Sequence, residues 1–573
     1  MRILGDYAKT TPPGASHAHT AKAECSSRGL AIDYFPESPG RKFPGVLPAG
    51  ALAGGSPSHG VPVPLIPHRN LISVMTPRIV VLGGGSAGLL AALSLQRHCP
   101  RLDTRIVLSR EIGVIGVGEG STADLPVHLH GFLGIDPADF HMRAKPTWKL
   151  GVHFLWGERA AFDYTFTKTL QGRVAGLPKS LGYFAWDDCD ALDFNAALMH
   201  TGKAFMRLPN GAPLVPRNIA YHMENADFVA ALEHYATVRG IKFTEGKVQH
   251  VERGLAGVAA LVLDSGERIT ADLFVDASGF RSELLGRAFG EPFVDQTDTL
   301  LCDRAIAGGW ERTTEPVLPY TVAETMGAGW AWQIEHERHV NRGYVFSSAF
   351  LSDDEAEAEF RRKNPRVVKT RVVKYRSGHY QRSWVGNVVA IGNSSGFVEP
   401  LEATALFVVC NAARALAIAL DDSEFDPRPT MREAYNRTVN RMWEEIRDFL
   451  AIHYRFNTRL DTPFWQHCRR EIPLHGAARI VEFYRENGPS TVFSGDLLTS
   501  ETSIFQLEGF FALLLGQKVP HRRIRPLSPD EERIVNSHRA ANLAQARQGF
   551  GVTESLKIIR STQWQWTPGF YKV

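Results

Sequence analysis

Three glycines have the types and spacing of a phosphate-binding turn. Gly83, Gly85 and Gly88 match the pattern G-x-G-x-x-G. In that pattern the first glycine permits a tight turn, the second lets backbone approach a pyrophosphate, and the third lets a helix pack closely on a strand. Here a β-branched run, 78–82, precedes the glycines and an Ala/Leu-rich run, 89–96, follows them. A glycine-rich turn can be purely structural, but the strand–turn–helix context favours a dinucleotide site.

The element after this turn adds a second binding feature. Ser86 and Ala87 begin the helix, whose N-terminal N–H groups and positive dipole end suit phosphates. The next strand, 104–108, should end in an acid that holds the ribose hydroxyls. Glu111 fits that position only if the loop shifts, so we assign it no role.

Two later segments repeat the pattern of a buried strand that breaks into small residues. The first is the strand 273–276 with a turn through Gly279, and the second is the strand 388–391 with a turn at Gly392. Small residues at such turns let backbone lie close to a ligand. One fingerprint with two later turns suits FAD, which lies extended across one domain. NAD is disfavoured because no second fingerprint is present.

Three further segments resemble motifs of the flavin-dependent tryptophan halogenases. IGVGEGST at 115–122 resembles their glycine-rich loop after the second strand, and GWAWQI at 329–334 resembles their W-x-W-x-I-P signature. EPLEATA at 399–405 resembles their P-L-E-S-T-G turn. With the fingerprint and the segment 274–280, the resemblance extends from about residue 77 through the C-terminal region, and the order of the motifs makes it specific.

The resemblance implies a reaction. Reduced FAD from a separate flavin reductase, together with O2, oxidises chloride or bromide to hypohalous acid. The acid then passes through an internal tunnel to an indole-like or other electron-rich aromatic substrate. Lys149 at the tunnel's end would hold or react with the oxidant, and Glu402 would assist. Thr404 and Ala405 would bind halide through their backbone N–H groups.

The fingerprint and the resemblance together predict an FAD site drawn from three parts of the chain. We assign to it Gly83, Gly85, Ser86, Ala87, Gly88, Gly118, Glu119, Asp276, Gly279, Gly392 and Leu401. Trp330 and Trp332 alternate and so share a face, which ordinary core packing would also explain. In the family this segment lies between flavin and substrate and disfavours direct monooxygenation.

The sequence pattern around Lys149 is compatible with a buried lysine in a catalytic site and with a lysine that faces solvent. From Trp148 to Phe154 apolar residues alternate with Lys149, Gly151 and His153, which predicts one strand. Small Gly151 leaves space beside the lysine, and burial would lower the pKa of its amine. The alternation alone favours a solvent-facing lysine, whereas the family match favours a buried one. Lys145, the nearby lysine, is set apart by Pro146.

Glu402 lies in an otherwise apolar stretch, where a buried carboxylate needs a partner and suits proton handling. The alternative is an acid at a helix N-terminus, which the helix dipole favours. Ala403 replaces the family's serine and Ala405 its glycine, although alanine still offers an N–H. Glu335 replaces the proline of the signature and begins a polar run, 335–339. That run mimics a metal site, but solvated charge runs are commoner and we predict no metal.

Two aromatic regions could enclose the substrate. Residues 160–220 contain several aromatics, among them Phe162, Tyr164, Phe166, Tyr183, Phe184 and Trp186, and segments here help to enclose substrate in the family. Residues 221–235 favour a scaffold helix. Residues 425–480 are helix-rich and aromatic, which suits stacking of flat rings but equally suits a core. We therefore assign no substrate-binding residue.

Composition excludes several partners. The 573 residues are 44% hydrophobic and 22% charged, with a formal net charge of +3. That balance predicts neither nucleic acid nor an acidic membrane as a partner, and no long apolar run predicts a membrane span. Six scattered cysteines without a Cys-x-x-Cys pair indicate neither zinc nor disulfides, which favours the reducing cytoplasm.

The predicted organisation has three parts. Residues 1–74 are rich in proline and glycine and read as a disordered or non-native extension, with Met75 as an alternative start. Residues 75–425 form an α/β, FAD-binding Rossmann-like core of the glutathione-reductase type with an inserted substrate segment. Residues 426–573 form an appended, mainly helical substrate subdomain.

We therefore predict a flavin-dependent halogenase, with a homodimer left open. The alternatives are an FAD monooxygenase that hydroxylates an aromatic substrate and a flavin-binding protein without turnover of its own.

Overall fold

The β-branched runs before the predicted cofactor turns lie in one mostly parallel sheet. In spatial order its strands are Lys242–Glu245, Asp103–Leu108, Arg78–Leu82, Leu273–Asp276, Val388–Ala390 and Trp384–Val385. All neighbours are parallel except the last pair. Because parallel strands end at the same edge, the turns after residues 82, 276 and 390 meet there.

The computed structural model describes residues 76–112, 118–185, 189–255, 257–492, 494–498, 503–522, 526–567 and 569–571. They belong to one compact unit, Ser73–Val573. The predicted extension 1–74, residues 115–117 of the glycine-rich loop and Trp186 lie outside the described residues.

A second, mostly antiparallel sheet carries the tryptophan signature. In spatial order its strands are Arg371–Lys374, Arg304–Glu311, His339–Phe346, Gly329–Glu335, Thr321–Met326, Gly151–Leu155 and Phe162–Thr165. Only Thr321–Met326 and Gly151–Leu155 pair in parallel. The strands of the smaller sheets, grouped by sheet, are Glu119–Gly120, Ala220–Met223 and Thr147–Lys149; Val248–Gly254, Gly257–Leu263 and Arg268–Ile269; Phe293–Asp295, Gly378–Tyr380 and Gly396–Phe397; and Phe550–Gly551, Lys203–Arg207 and Pro213–Leu214.

Helices cover both sheets and dominate the C-terminal part. The α-helices are Ser86–His98, Asp124–Pro126, Pro137–Arg143, Leu181–Phe184, Phe194–His200, Asn225–Val238, Asp353–Lys363, Ala405–Asp422, Pro429–Arg455, Pro463–Glu471, Ala477–Asn487, Ser494–Leu497, Gln506–Gly516, Pro529–Arg547 and Val552–Ile559. Short 3-10 turns span Gly279–Arg281 and Gly392–Ser394, and π-helical turns span Val127–Phe132 and Glu283–Ala288. None of the helices in the described ranges is long and apolar enough to cross a membrane.

Local sequence explains where the longer helices begin. Ser352 and Ser528 form capping boxes with Glu355 and Glu531, which satisfy the first N–H groups of their helices. Pro429 occupies the first position of the 27-residue helix, where its missing N–H costs nothing. The Ala/Leu-rich helix Ser86–His98 packs against Ala405–Asp422, so the fingerprint helix and the helix after the EPLEATA turn lie side by side.

The predicted α/β fold with an appended helical region is confirmed, and two local predictions are wrong. The strand expected from Trp148 to Phe154 divides at Leu150, whose N–H donates to Pro319 O (2.7 Å) outside both sheets. The segment expected to enter a helix at Tyr221 is instead the strand Ala220–Met223, and the helix begins at Asn225. The strand predicted at 78–82 is confirmed.

Candidate active site

The three fingerprint glycines meet different surroundings, as their predicted roles require. Gly83 has φ +127°, and a Cβ there would lie 2.2 Å from Ala277 O. A Cβ on Gly88 would lie 2.0 Å from Gly83 O. The helix can therefore pack this closely on the strand only because residue 88 is a glycine. A Cβ on Gly85 would meet nothing within 4 Å. Gly85 therefore borders open space, as a backbone that approaches a ligand must.

The helix that starts here has an open N-terminus. Gly85 is its N-cap and contributes no side-chain cap, and the first turn contains no acid. The N–H groups of Ser86 and Ala87 thus lack the intrahelical partners that later residues have. An anion such as a pyrophosphate fits this position.

The two later small-residue turns lie against the fingerprint. Ile391 N donates to Asp276 O (2.9 Å), and this bond joins the ends of the strands Leu273–Asp276 and Val388–Ala390. A Cβ on Gly392, which has φ +75°, would lie 2.7 Å from Ala87 Cβ. Three separately predicted segments therefore form one glycine-lined cradle at the carboxyl edge of the sheet.

Asp276 and Gly279 occupy different sides of this cradle. Asp276 is fully buried, and its carboxylate accepts hydrogen bonds from Ser278 N (3.1 Å) and Oγ (2.6 Å) and from the N–H groups of Leu284 (2.8 Å) and Leu285 (3.0 Å). Burial raises its pKa, which these bonds oppose. Its oxygens thus hold the turn together. Gly279 has φ +71°, and a Cβ there would meet nothing within 4 Å, so it borders open space.

The end of the glycine-rich loop also carries a perturbed acid. Burial raises the pKa of Glu119 to about 7, while the bond that its Oε1 accepts from Asn225 Nδ2 (2.9 Å) opposes the rise. Gly118 has φ +86°, and a Cβ there would lie 2.3 Å from Asn341 Nδ2. Leu401, the remaining predicted FAD contact, is buried.

Lys149 is fully buried, so the solvent-facing interpretation is wrong. Its ammonium finds no hydrogen-bond acceptor among the described residues, and Phe166 presents its ring 5.3 Å away. Burial lowers its pKa to about 8, and the charge of Glu402 opposes the shift. A Cβ on Gly120 would lie 3.8 Å from Lys149 Nζ and 3.4 Å from Ala403 Cβ. The lysine therefore lies beside the EPLEATA turn.

His222 is a second group beside Lys149, and we had expected its segment to be scaffold only. Strand pairing sets it opposite Thr147, on the same face as Lys149. Its Nε2 lies 2.7 Å from Thr321 Oγ1. Burial lowers the pKa of His222 and the charge of Lys149 lowers it further, so the imidazole is neutral.

Glu402 has the buried partner that a carboxylate in an apolar stretch needs. Its Oε1 lies 2.7 Å from Nε2 of His453, and each side chain is only 1% exposed. The helix after the turn begins at Ala405 with Thr404 as its N-cap, so Glu402 lies just outside the helix. His453 lies in the aromatic, helix-rich region 425–480, where the sequence alone singles out no residue. Nothing local marks it, because 51 residues separate it from Glu402.

The alanines that replace the family's serine and glycine differ in backbone conformation. Ala405 is the first residue of the helix Ala405–Asp422, so a right-handed conformation suits it. Ala403 has φ +55°, in the left-handed region that disfavours a Cβ. Thr404 is the N-cap, and no described side chain caps the helix. The N–H groups predicted to bind halide are thus at an uncapped helix N-terminus.

Trp330 and Trp332 share a face of their strand, as predicted. Both are buried, and their ring centroids lie 6.2 Å apart. A Cβ on Gly343 would lie 2.0 Å from the Trp332 ring, so the neighbouring strand makes room for that indole. Burial raises the pKa of Glu399, near Trp330, to about 7, although a hydrogen bond from Tyr454 OH to Oε1 opposes the rise.

Glu335, which replaces the signature's proline, is buried rather than solvated. It forms an ion pair with Arg312, and Gln333 Nε2 donates to its Oε1 (2.7 Å). His336 is buried too, so the prediction of a solvated run holds only for its end. Within the described parts of the chain, no group of three histidine, cysteine or acidic side chains could hold a metal ion.

An aromatic wall continues from Lys149. Tyr164 lies 6.5 Å from Phe166 and 6.0 Å from Phe449, measured between ring centroids. Burial and the neighbouring carboxylates, led by Glu402, raise the pKa of Tyr164 well above its usual value. Both predicted aromatic regions thus contribute rings close to the two candidate catalytic residues.

Known proteins share this architecture. The family model described as tryptophan halogenase matches residues 78–531. Tryptophan 7-halogenase RebH of Lentzea aerocolonigenes is 31% identical over 477 residues, which are 77% of this chain and 89% of that protein. Tryptophan 6-halogenase ThaL of Streptomyces albogriseolus is 32% identical over 447 residues, covering 72% and 82% of the two chains.

Solved structures agree with the sequence comparisons. MibH, a lathipeptide tryptophan 5-halogenase, matches with a TM-score of 0.77 and 36% identity over 84% of this chain and 93% of its own. BrvH, a flavin-dependent halogenase from Brevundimonas sp. BAL3, matches with a TM-score of 0.75 and 28% identity over 85% and 99%. With the cradle, the buried lysine and the paired glutamate in their family order, this chain belongs to the tryptophan halogenase family of flavin-dependent enzymes.

Proposed function

We propose that this protein is an oxidoreductase that uses reduced FAD, O2 and chloride or bromide to halogenate an indole-like or other electron-rich aromatic substrate. The observation that carries the proposal is the buried ammonium of Lys149, which has no acceptor among the described residues and lies beside the turn that bears Glu402. A buried cation without a partner is costly, so such a site is kept for a ligand.

The glycine-lined cradle fits FAD. Gly83, Gly85 and Gly88 leave room for a pyrophosphate, and Ser86 and Ala87 offer it their N–H groups. Further contacts would come from the predicted residues Gly118, Glu119, Gly279, Gly392 and Leu401, and Asp276 would act by holding the turn 277–285. When bound and reduced, the flavin supplies the electrons that activate O2 for oxidation of halide.

The chain's own residues would handle the oxidant and the proton. Thr404 and Ala405 would hold halide at their N–H groups, while Trp330 and Trp332 keep the substrate apart from the flavin. Lys149 would donate a hydrogen bond to the oxygen of hypohalous acid and so orient the halogen toward the ring. Glu402 would accept the ring proton that the halogen displaces.

The substrate and the partners are narrower proposals. We propose a separate flavin reductase as the source of reduced FAD. The departures at Ala403, Ala405 and Glu335 argue against assuming free tryptophan. Because MibH is named for a peptide substrate class, a tryptophan-containing peptide belongs among the candidates. A cytoplasmic location, a homodimer and the division at residue 425 stay predictions.

The test is an assay of the purified protein with a flavin reductase, FAD, NADH and bromide or chloride. Indole, tryptophan, a tryptophan-containing peptide and a panel of phenols are analysed by mass spectrometry for halogen isotope patterns. We expect halogenated product that disappears in Lys149→Ala. Lys145→Ala is the matched control, because that lysine is exposed and its Nζ forms a surface ion pair with Asp227 (3.7 Å).

Three outcomes would contradict the proposal. Full activity of Lys149→Ala would show that the lysine is not needed for halogenation. Oxygenated product without halogen would indicate the monooxygenase alternative. Bound FAD without product from any substrate would indicate a flavin-binding protein.

A further inference from the structure

The contact between His453 and Glu402 holds a single proton. His453 Nδ1 lies 2.9 Å from Phe449 O, and a carbonyl only accepts, so Nδ1 carries a hydrogen. Nε2 then faces Glu402 Oε1 at 2.7 Å. That proton resides either on Nε2, which gives an imidazolium and a carboxylate, or on Oε1, which gives two neutral groups. Both forms have zero net charge.

The surroundings limit which other charge states the pair can adopt. Rings of Phe154, Phe449 and Trp156 enclose the imidazole, with centroid distances of 5.4, 5.1 and 6.3 Å. Among the described residues, Lys149 and Tyr164 are titratable groups besides His453 whose charges interact with Glu402. A second proton on the pair would place a net cation near the Lys149 ammonium in a buried site, which is unfavourable. Loss of the shared proton leaves a net anion, which the same ammonium stabilises.

We propose that His453 is a positioning residue that allows Glu402 first to donate a proton and then to accept one during halogenation. This inference rests on the proposed function. The aromatic carbon attacks the halogen of hypohalous acid, so a C–X bond forms and the O–X bond breaks. The leaving hydroxide takes the shared proton and becomes water. The ring proton of the cationic adduct then passes to Glu402, its C–H electron pair restores the aromatic ring, and the pair regains its initial state.

The first test reads the pair without turnover. Histidine-labelled (13C, 15N) full-length protein is compared by NMR with His453→Gln to assign the His453 signals. We expect His453 Nδ1 to carry a hydrogen, either in the imidazolium or in the neutral Nδ1–H ring. We do not expect a neutral ring with its only hydrogen on Nε2. Glu402→Gln should convert His453 to the neutral Nδ1–H form at neutral pH. A neutral ring that carries its hydrogen on Nε2 would overturn the proposal.

The second test reads the proton transfer. With ring-deuterated and unlabelled substrate, we expect the wild type to show an isotope effect near unity. His453→Gln should lower kcat by about 100-fold, the ordinary size of an acid–base contribution, and reveal a clear isotope effect because ring deprotonation becomes limiting. Tyr454→Phe is the matched control, since it removes the adjacent hydrogen bond to Glu399 and leaves the pair intact. It should keep the wild-type isotope effect.

The two tests separate the two proposals. A slower His453→Gln variant with an unchanged isotope effect would leave the histidine a structural role only and overturn the inference. If the wild type halogenates nothing, the proposed function fails, whereas the NMR result still decides whether the pair shares one proton.

Discussion

Lys149 is fully buried, and its ammonium donates no hydrogen bond to any described group. Its pKa is about 8 in the folded protein and 10.5 for an ordinary lysine. The unfolded chain therefore binds more protons between those values, and folding is penalised below about pH 8. The buried ammonium thus costs stability, as groups at active sites commonly do.

Replacement of this lysine should stabilise the protein while it abolishes halogenation. For Lys149→Met we expect a free energy of unfolding at pH 7 that is higher by up to roughly 3 kcal/mol, because 2.5 pKa units correspond to that amount. The gain should shrink as pH rises from 8 to 10.5, since the wild-type amine becomes neutral in both states. Denaturant titrations at pH 7, 8.5 and 10 measure it. Lys145→Met, with the exposed lysine, should change little, and a less stable Lys149→Met at pH 7 would contradict the argument.

At the residue scale, the motifs predicted candidate catalytic residues but not their surroundings. Lys149 and Glu402 were predicted from local matches to family motifs. The burial of Lys149 was not, because alternation within one strand cannot reveal which layers cover both faces. His453 and His222 were missed as site residues because their partners, Glu402 and the Lys149 strand, are distant in sequence and meet them only after folding.

At the scale of elements, the cradle depends on one strand, one turn and one helix. Gly83 and Gly88 are required by protein contacts, whereas Gly85 borders open space. A Cβ at each position therefore has a different consequence: strain in the fold at the first two, and obstruction of a ligand at Gly85. Substitution of Gly83 or Gly88 should therefore disturb folding, whereas substitution of Gly85 should disturb only cofactor binding.

Gly85→Ala should fold normally and bind FAD weakly. We expect an unchanged Tm without flavin and an affinity for FAD at least about tenfold lower, equivalent to about 1.4 kcal/mol, because the Cβ holds the pyrophosphate away from the backbone. Fluorescence titration with FAD measures the change. Gly551→Ala is the control, since a Cβ there also meets nothing and its φ of −66° suits alanine. Equal FAD affinity in both variants would contradict the role given to Gly85.

Elements were predictable where one sheet imposed a simple pattern. The strand 78–82 follows from an apolar run before a glycine turn and a helix, whereas the order of its neighbours in the sheet is known only from the structure. The segment from Trp148 to Phe154 failed because its alternation continues across Leu150, although the backbone leaves one sheet there and enters another. Side-chain periodicity does not record which strand the backbone pairs with.

Across the whole molecule, burial acts on two opposing sets of titratable groups. Burial raises the pKa of the carboxyls of Glu399 and Glu445 to about 7 and that of Glu508 to about 8. Burial also lowers the pKa of the buried histidines His128, His141, His222, His336 and His379. The first set weakens folding as pH rises from about 4.5 through 7 to 8, and the second weakens folding as pH falls below about 6.5.

These opposing effects predict a stability maximum at roughly pH 6.5. Below it the histidines outweigh the carboxyls, because the unfolded chain takes up protons that the buried rings refuse. Above it the carboxyls outweigh the histidines, so stability should fall toward pH 8 as the native state is forced to ionise them. Denaturant midpoints at pH 5, 6.5 and 8 test this, and Glu508→Gln should reduce the loss between pH 6.5 and 8 because it removes the carboxyl with the highest pKa of the three. A stability that rises steadily from pH 5 to 8 would show that these acids are ionised in the native protein.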